Sequence, residues 1–216
     1  MAEPKSADSL LSTPGIVRLK NPVTERDHVS GPETAPVTLL EYGNFECIHC
    51  GHAYPIIKQV RQLLGDNLRF VFRHFPTVKT HPHSLRAAQA AEAADAQGRF
   101  WQMHDELFTH QTALEDRDLS RYARRIGLDG ERFRRDIAEN TFLKQIEADY
   151  QRSLFEEHVT GTPTIYVNEL RFTGATDLEG LLNAIKEVDT EGRIRLPEGT
   201  GGLRGVLGRL RRGSNR

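Results

Sequence analysis

The chain has 216 residues, with 29 basic and 30 acidic side chains and a formal net charge of -1. That length holds one domain with a sizeable insertion and can bury a proper core, and the near-zero charge gives no global field toward nucleic acid or membrane. Only two cysteines are present, Cys47 and Cys50, so a structural disulfide framework is excluded and their close spacing becomes the informative feature.

Residues 1–26 are rich in proline, serine and charge and read as a flexible, extended arm. Within it, Ile16-Val17-Arg18-Leu19 has the makings of a short edge strand. Residues 1–9 lack the basic region and apolar core of a secretory signal. No run is long and apolar enough to span a bilayer, so stable membrane insertion is not expected. With Met1 as the native start the expected location is cytoplasmic; a chain whose export signal had been removed would look the same.

A turn-rich stretch, 27–36, leads into the apolar run Val37-Thr38-Leu39-Leu40, which reads as a buried strand. The strand ends in Glu41-Tyr42-Gly43-Asn44-Phe45-Glu46-Cys47-Ile48-His49-Cys50. Ile56, Ile57, Val60, Leu63 and Leu64 then recur at helical spacing. Residues 68–75 alternate imperfectly and read as a second main strand. Strand, helix and strand make a right-handed βαβ unit.

From Ser84 to about His158 the period is helical. An alanine-rich helix ends near Gly98, a second carries Phe100, Trp101, Met103, His104, Leu107 and Phe108, and a third stops at Gly127. Asp129 caps a fourth, and Phe142, Ile146, Tyr150 and Phe155 mark a long fifth. Residues 164–173 read as a hairpin, and Thr176-Asp177-Leu178-Glu179 as a capping box for a closing helix. Residues 191–216 form a basic, flexible tail, in which Leu203, Val206, Leu207 and Leu210 fall at helical spacing.

Cys47 falls where a strand hands over to a helix. Free backbone N–H groups and the positive end of the helix dipole stabilise an anion there. A thiolate is such an anion, and it is the form that attacks disulfides. Cys47, the more N-terminal and more exposed thiol, is the expected nucleophile, and Cys50 the thiol that resolves a mixed disulfide. His49, between them, is placed to hydrogen-bond the Cys47 thiolate and lower its pKa. Glu46 is expected to point to solvent, since its charge would oppose that thiolate. Glu41 sits in an apolar strand, where a carboxylate is costly without a role or a partner.

These residues resemble the DsbA-like thiol–disulfide oxidoreductases of the thioredoxin superfamily. The resemblance covers about Asp27 to Val188. It is carried by Cys47-Ile48-His49-Cys50, Glu41, Phe100-Trp101-Gln102-Met103-His104-Asp105 and Gly161-Thr162-Pro163-Thr164. It implies an α/β, thioredoxin-like fold with an inserted all-helical domain: residues 27–80 and 160–190 form the thioredoxin-like part and 81–159 the insertion. It also implies that Pro163 is a cis-proline facing the dithiol, that Thr162 and Pro163 bind an extended substrate backbone, and that Glu41 assists proton transfer at the second thiol. The family's namesake has proline at the position of Ile48, so its redox potential does not carry over.

The function expected is disulfide exchange with protein or peptide substrates through Cys47 and Cys50, recharged by an unidentified redox partner. No cofactor is needed, because the dithiol is itself the redox group, and no nucleic-acid partner is expected. Two rivals remain: a chaperone or peptide-binding module on the same fold, and a zinc-binding structural protein in which Cys47 and Cys50 supply two ligands and histidines the rest.

Overall fold

The computed structural model describes residues 17–189, 191, 192 and 194. Five strands form one mixed sheet in the order β1-β3-β2-β4-β5: His28–Ser30 (β1), Val37–Gly43 (β2), Leu68–His74 (β3), Thr164–Val167 (β4) and Leu170–Arg171 (β5). β2 and β3 are parallel and joined through helix α1 (Ile48–Leu64); the other neighbours are antiparallel. β2 occupies the centre because both of its faces are apolar. Val37 and Leu39 enter one core, Leu40 and Tyr42 the other. The same alternation puts Glu41 on the face of Val37 and Leu39, beneath α1.

Five helices lie between β3 and β4: α2 (Ser84–Asp95), α3 (Phe100–Thr109), α4 (Asp116–Arg125), α5 (Gly130–Ala138) and α6 (Leu143–Phe155). α7 (Leu178–Val188) closes the described chain and packs beside α1. The larger core joins α1, α7 and the insertion to one face of the sheet and includes Phe45, Phe70, Phe72, Met103 and Leu107. His104 lies within it, ringed by Phe45, Phe72, Trp101 and Phe108. Burial pushes its pKa down to about 4, so the imidazole is neutral. The smaller core, with Tyr42, Phe75 and Tyr166, is covered by Tyr150 and Leu154 of α6.

Local chemistry accounts for the punctuation. Gly127 takes φ 78° just past α4, and Asp129 caps α5 by accepting the Glu131 and Arg132 amides at 2.9 and 3.0 Å. Asn168 and Glu169 both have positive φ, 45° and 69°, making a two-residue turn of the type that matches hairpin twist.

Away from the dithiol itself, the structure differs from the sequence reading in three places. Residues 17–26, expected as part of a flexible arm, are docked. Val17 and Leu19 bond to the β4–β5 hairpin through Arg171 and Glu169 at 2.9 and 2.8 Å. Arg73 donates to the Asn21 and Pro22 carbonyls and pairs with Asp27, and the Glu157 carboxylate accepts the Lys20 and Asn21 amides. Secondly, the cap of α7 is Asp177 rather than Thr176, its carboxylate accepting the Gly180 amide at 2.7 Å. Thirdly, Glu46 does not face solvent. Its two oxygens accept the His83 backbone amide and meet the His83 ring Nδ1, at 2.7 and 2.8 Å, just before α2. A helix N-terminus stabilises that charge, which removes it from competition with the neighbouring thiolate. The leucine- and valine-bearing pattern at 203–210, like residues 1–16, lies outside the described residues.

Candidate active site

Cys47 is the N-cap residue of α1, with extended backbone (φ -76°, ψ 124°), and Cys50 lies in the first turn. The preceding turn is built by Asn44. Its carbonyl accepts the Cys47 amide at 3.1 Å, its side-chain oxygen accepts the Glu46 amide at 2.9 Å, and its side-chain amide donates to Thr77 at 3.0 Å. Gln111, in the loop after α3, holds the same turn from the other side. Its side-chain amide donates to the carbonyls of Phe45 and Cys47 at 2.8 and 2.9 Å. Neither Asn44 nor Gln111 was expected at the site. Asn44 carries a turn signal, whereas Gln111 is distant in sequence and carries none.

Both cysteines are unbonded thiols. Both are also buried, Cys47 at 4% and Cys50 at 0% exposure, so the expected exposed nucleophile is instead a recessed one. The two thiols are driven in opposite directions. Cys47 is held down to about 4, chiefly by the hydrogen bond from Cys50, with further donation from the Thr162 hydroxyl and the backbone amides of Cys50 and His49 outweighing burial. Cys50 is pushed well above the usual thiol range by burial, by its hydrogen bond to Cys47, and by the nearby charges of Glu41 and Cys47.

The Thr162–Pro163 peptide bond is cis. It brings the Thr162 carbonyl within 3.4 Å of the Cys47 Sγ, which donates to it as the thiol. Glu41 is 2% exposed, and one of its carboxyl oxygens has no hydrogen-bond partner among the described residues. Burial, reinforced by the Cys47 charge, lifts its pKa to about 8, while a hydrogen bond with Cys50 works the other way. Cys47, Cys50, Glu41, Thr162 and Pro163 thus meet at one point. His49 reaches that point differently from the expectation. Its backbone amide supports Cys47, while its side chain is exposed and makes no hydrogen bond among the described residues.

The sequence matches the family described as Thioredoxin over residues 23–187. The chain belongs to the thioredoxin family. Its fold is that of the DsbA-like branch. A thioredoxin-like oxidoreductase from Silicibacter pomeroyi DSS-3 superposes with a TM-score of 0.66 at 25% identity, over 85% of this chain and 97% of that one. The thiol-disulfide exchange protein alpha-DsbA2 from Wolbachia pipientis gives a TM-score of 0.66 at 25% identity, over 75% of this chain and 87% of that one. Among curated sequences, this thioredoxin-family chain is 44% identical to a Na(+)/H(+) antiporter NhaA 3 from Salinispora tropica, over 92% of this chain and 30% of that protein. The chain therefore spans about 30% of that relative's length. Among the described residues no helix is long and apolar enough to cross a membrane.

Proposed function

We propose that this thioredoxin-family domain exchanges disulfides with protein substrates through Cys47 and Cys50. The observation that carries the reading is the placement of Cys47 as the N-cap of α1, 3.4 Å from the Thr162 carbonyl, with the buried Cys50 in the first turn; this setting holds the Cys47 thiol down and pushes the Cys50 thiol up. A stable thiolate beside a protonated thiol is the arrangement that one attacking and one resolving group require.

The cycle balances as follows. In the reducing direction the Cys47 thiolate attacks one sulfur of a substrate disulfide, and the other sulfur leaves as a thiolate. With the Cys47 charge consumed in the mixed disulfide, one of the causes that keep Glu41 protonated is gone, and the Cys50 thiol loses its proton to the Glu41 carboxylate so formed and attacks Cys47. This forms the Cys47–Cys50 disulfide and expels the second substrate thiolate, so the substrate gains two electrons and the dithiol loses two. In the donating direction every step runs backward. Thr162 and Pro163 would hold the substrate backbone as an added strand. The exposed His49 imidazole is available to a bound substrate, while its amide steadies the thiolate.

The low Cys47 pKa favours the reduced dithiol and hence the disulfide-donating direction, since a stabilised thiolate is a better leaving group. Equilibration against graded glutathione buffers tests this. A potential near about -120 mV supports a donor working in an oxidising compartment. One near about -270 mV fits a reductant and keeps the cytoplasmic placement expected from the sequence. The reading as a whole requires that Cys47→Ser abolish exchange and that Cys50→Ser trap a mixed disulfide on Cys47, detectable by mass. Full exchange by Cys47→Ser would overturn it.

A further inference from the structure

Away from the dithiol, three side chains from three separate elements converge. His28 comes from β1, His74 from the end of β3 and Glu92 from α2. The Nε2 atoms of both imidazoles approach the same carboxylate oxygen, at 2.7 Å from His28 and 2.9 Å from His74. The three donor atoms all lie within 4.8 Å of one another. The side chains are 10%, 7% and 6% exposed. We propose that His28, His74 and Glu92 form a binding site for a single divalent transition-metal ion of the zinc class.

Donor chemistry and geometry both support this. Two imidazoles and one carboxylate are a donor set for zinc or iron(II) that leaves coordination positions open. Metal–ligand distances of about 2.0–2.1 Å put tetrahedral ligands roughly 3.3 Å apart. The two nitrogen–oxygen separations would therefore open by about half an ångström, and the two ring nitrogens, which lie within 4.8 Å of each other, would settle to the same spacing.

The rings are already fixed in position. His28 stacks on Phe100, with centroids 3.5 Å apart and planes 8° from parallel. His74 is wedged edge-on among Phe45, Phe72 and Phe100. The far nitrogen of His28, Nδ1, faces the Asp95 carboxylate at 3.5 Å. A carboxylate behind a ligating histidine fixes which nitrogen is free to bind and raises its basicity. A cavity of about 1420 Å3 runs past the cluster and is lined by all three side chains, by Asp95 and by Phe100, giving an entry path and room for water or another ligand.

A buried ion pair pinning α2 to the sheet would use the same contacts, so the test must detect the metal itself. The Cys47→Ser, Cys50→Ser double variant removes the only thiols. It is stripped with a chelator and titrated with zinc against a chromophoric competitor. One equivalent of zinc is expected, with at least tenfold weaker binding in His74→Ala and Glu92→Gln, and about tenfold weaker binding in Asp95→Asn. Glu92→Gln keeps an acceptor for both imidazoles and so guards against simple unfolding. As a second readout needing no change in the cluster, ring resonances of His28 and His74 should shift on zinc addition, and cobalt(II) should give a tetrahedral spectrum without sulfur charge transfer. Zinc bound by the wild type but lost in the double serine variant would assign the metal to the dithiol and overturn the proposal. Undiminished binding in both His74→Ala and Glu92→Gln, or no stoichiometric binding by the folded double variant, would overturn it equally.

Discussion

The Glu41 carboxyl and Gly43 share one face of β2, and a Cβ placed on Gly43 would stand 3.2 Å from a Glu41 oxygen. The same Cβ would stand 2.3 and 2.7 Å from two carbons of the Phe72 ring. Phe72 lies opposite Glu41 in the β2–β3 register, and its ring fills the space that a side chain at position 43 would need. Gly43→Ala is therefore expected to cost about 1–3 kcal/mol of stability through overpacking, read from the denaturation midpoint. Because Glu41 must move as well, the thiol chemistry should shift with it.

Glu41 also makes stability depend on pH. Its pKa is about 8 in the folded protein against an ordinary value of 4.5. Between those values the folded state keeps a proton that the unfolded state has lost, so this group's contribution to stability falls as pH rises. Cys47 has the opposite sign. Its stabilising contribution is complete above its ordinary value of 9.0 and is lost as pH falls through about 4. The difference between wild type and Glu41→Gln isolates the carboxyl. The variant should gain on wild type from about pH 4.5 upward, by on the order of a few kcal/mol at pH 8. Denaturant curves at several pH values check this, and a constant difference would count against a protonated Glu41.

The Cys47 thiolate should respond to Thr162 more than to the His49 ring. The Thr162 hydroxyl is one of the groups that lower the Cys47 pKa, whereas His49 contributes its backbone amide. Thr162→Val should raise the pKa for alkylation of Cys47. His49→Ala should leave it near about 4, because the substitution retains the amide. Iodoacetamide rates across pH give both values.

Gln111 is the tie between the helical insertion and the nucleophile's turn. Gln111→Leu leaves the Phe45 and Cys47 carbonyls without their side-chain donor and should cost about 1–3 kcal/mol. Gly51→Ala reaches the same contact from the other side, since its Cβ would fall 1.9 Å from the Gln111 side-chain oxygen. Hydrogen exchange at the start of α1 should rise in both variants.

The course of the chain was legible because its signals are local. Strand β2 with its apolar faces, the cap at Asp129 and the alanines of α2 each announce themselves within a few residues. The cysteine pair was legible for the same reason. What could not be read depends on partners far apart in sequence. Glu46 meets His83 across 37 positions, and Gln111 meets Cys47 across 64. His28 and Glu92 are 64 positions apart, and nothing near either one marks them as neighbours. The direction of the His49 ring, which is exposed, was not legible either, because adjacency in sequence does not fix which way a side chain at a helix start projects.

Cys47 and Thr162 are separated by 115 positions, with the five insertion helices between them. On a ribosome making about 5–20 residues per second, the cysteine emerges roughly 6–23 s before the threonine that supports it. Over that interval β2 lacks its β4 neighbour, and Cys47 lacks both the Thr162 hydroxyl and the carbonyl beside it. The newborn chain therefore carries Cys47 in a less activated form, and the reactive pair is completed late, after the segments that shield it have been made.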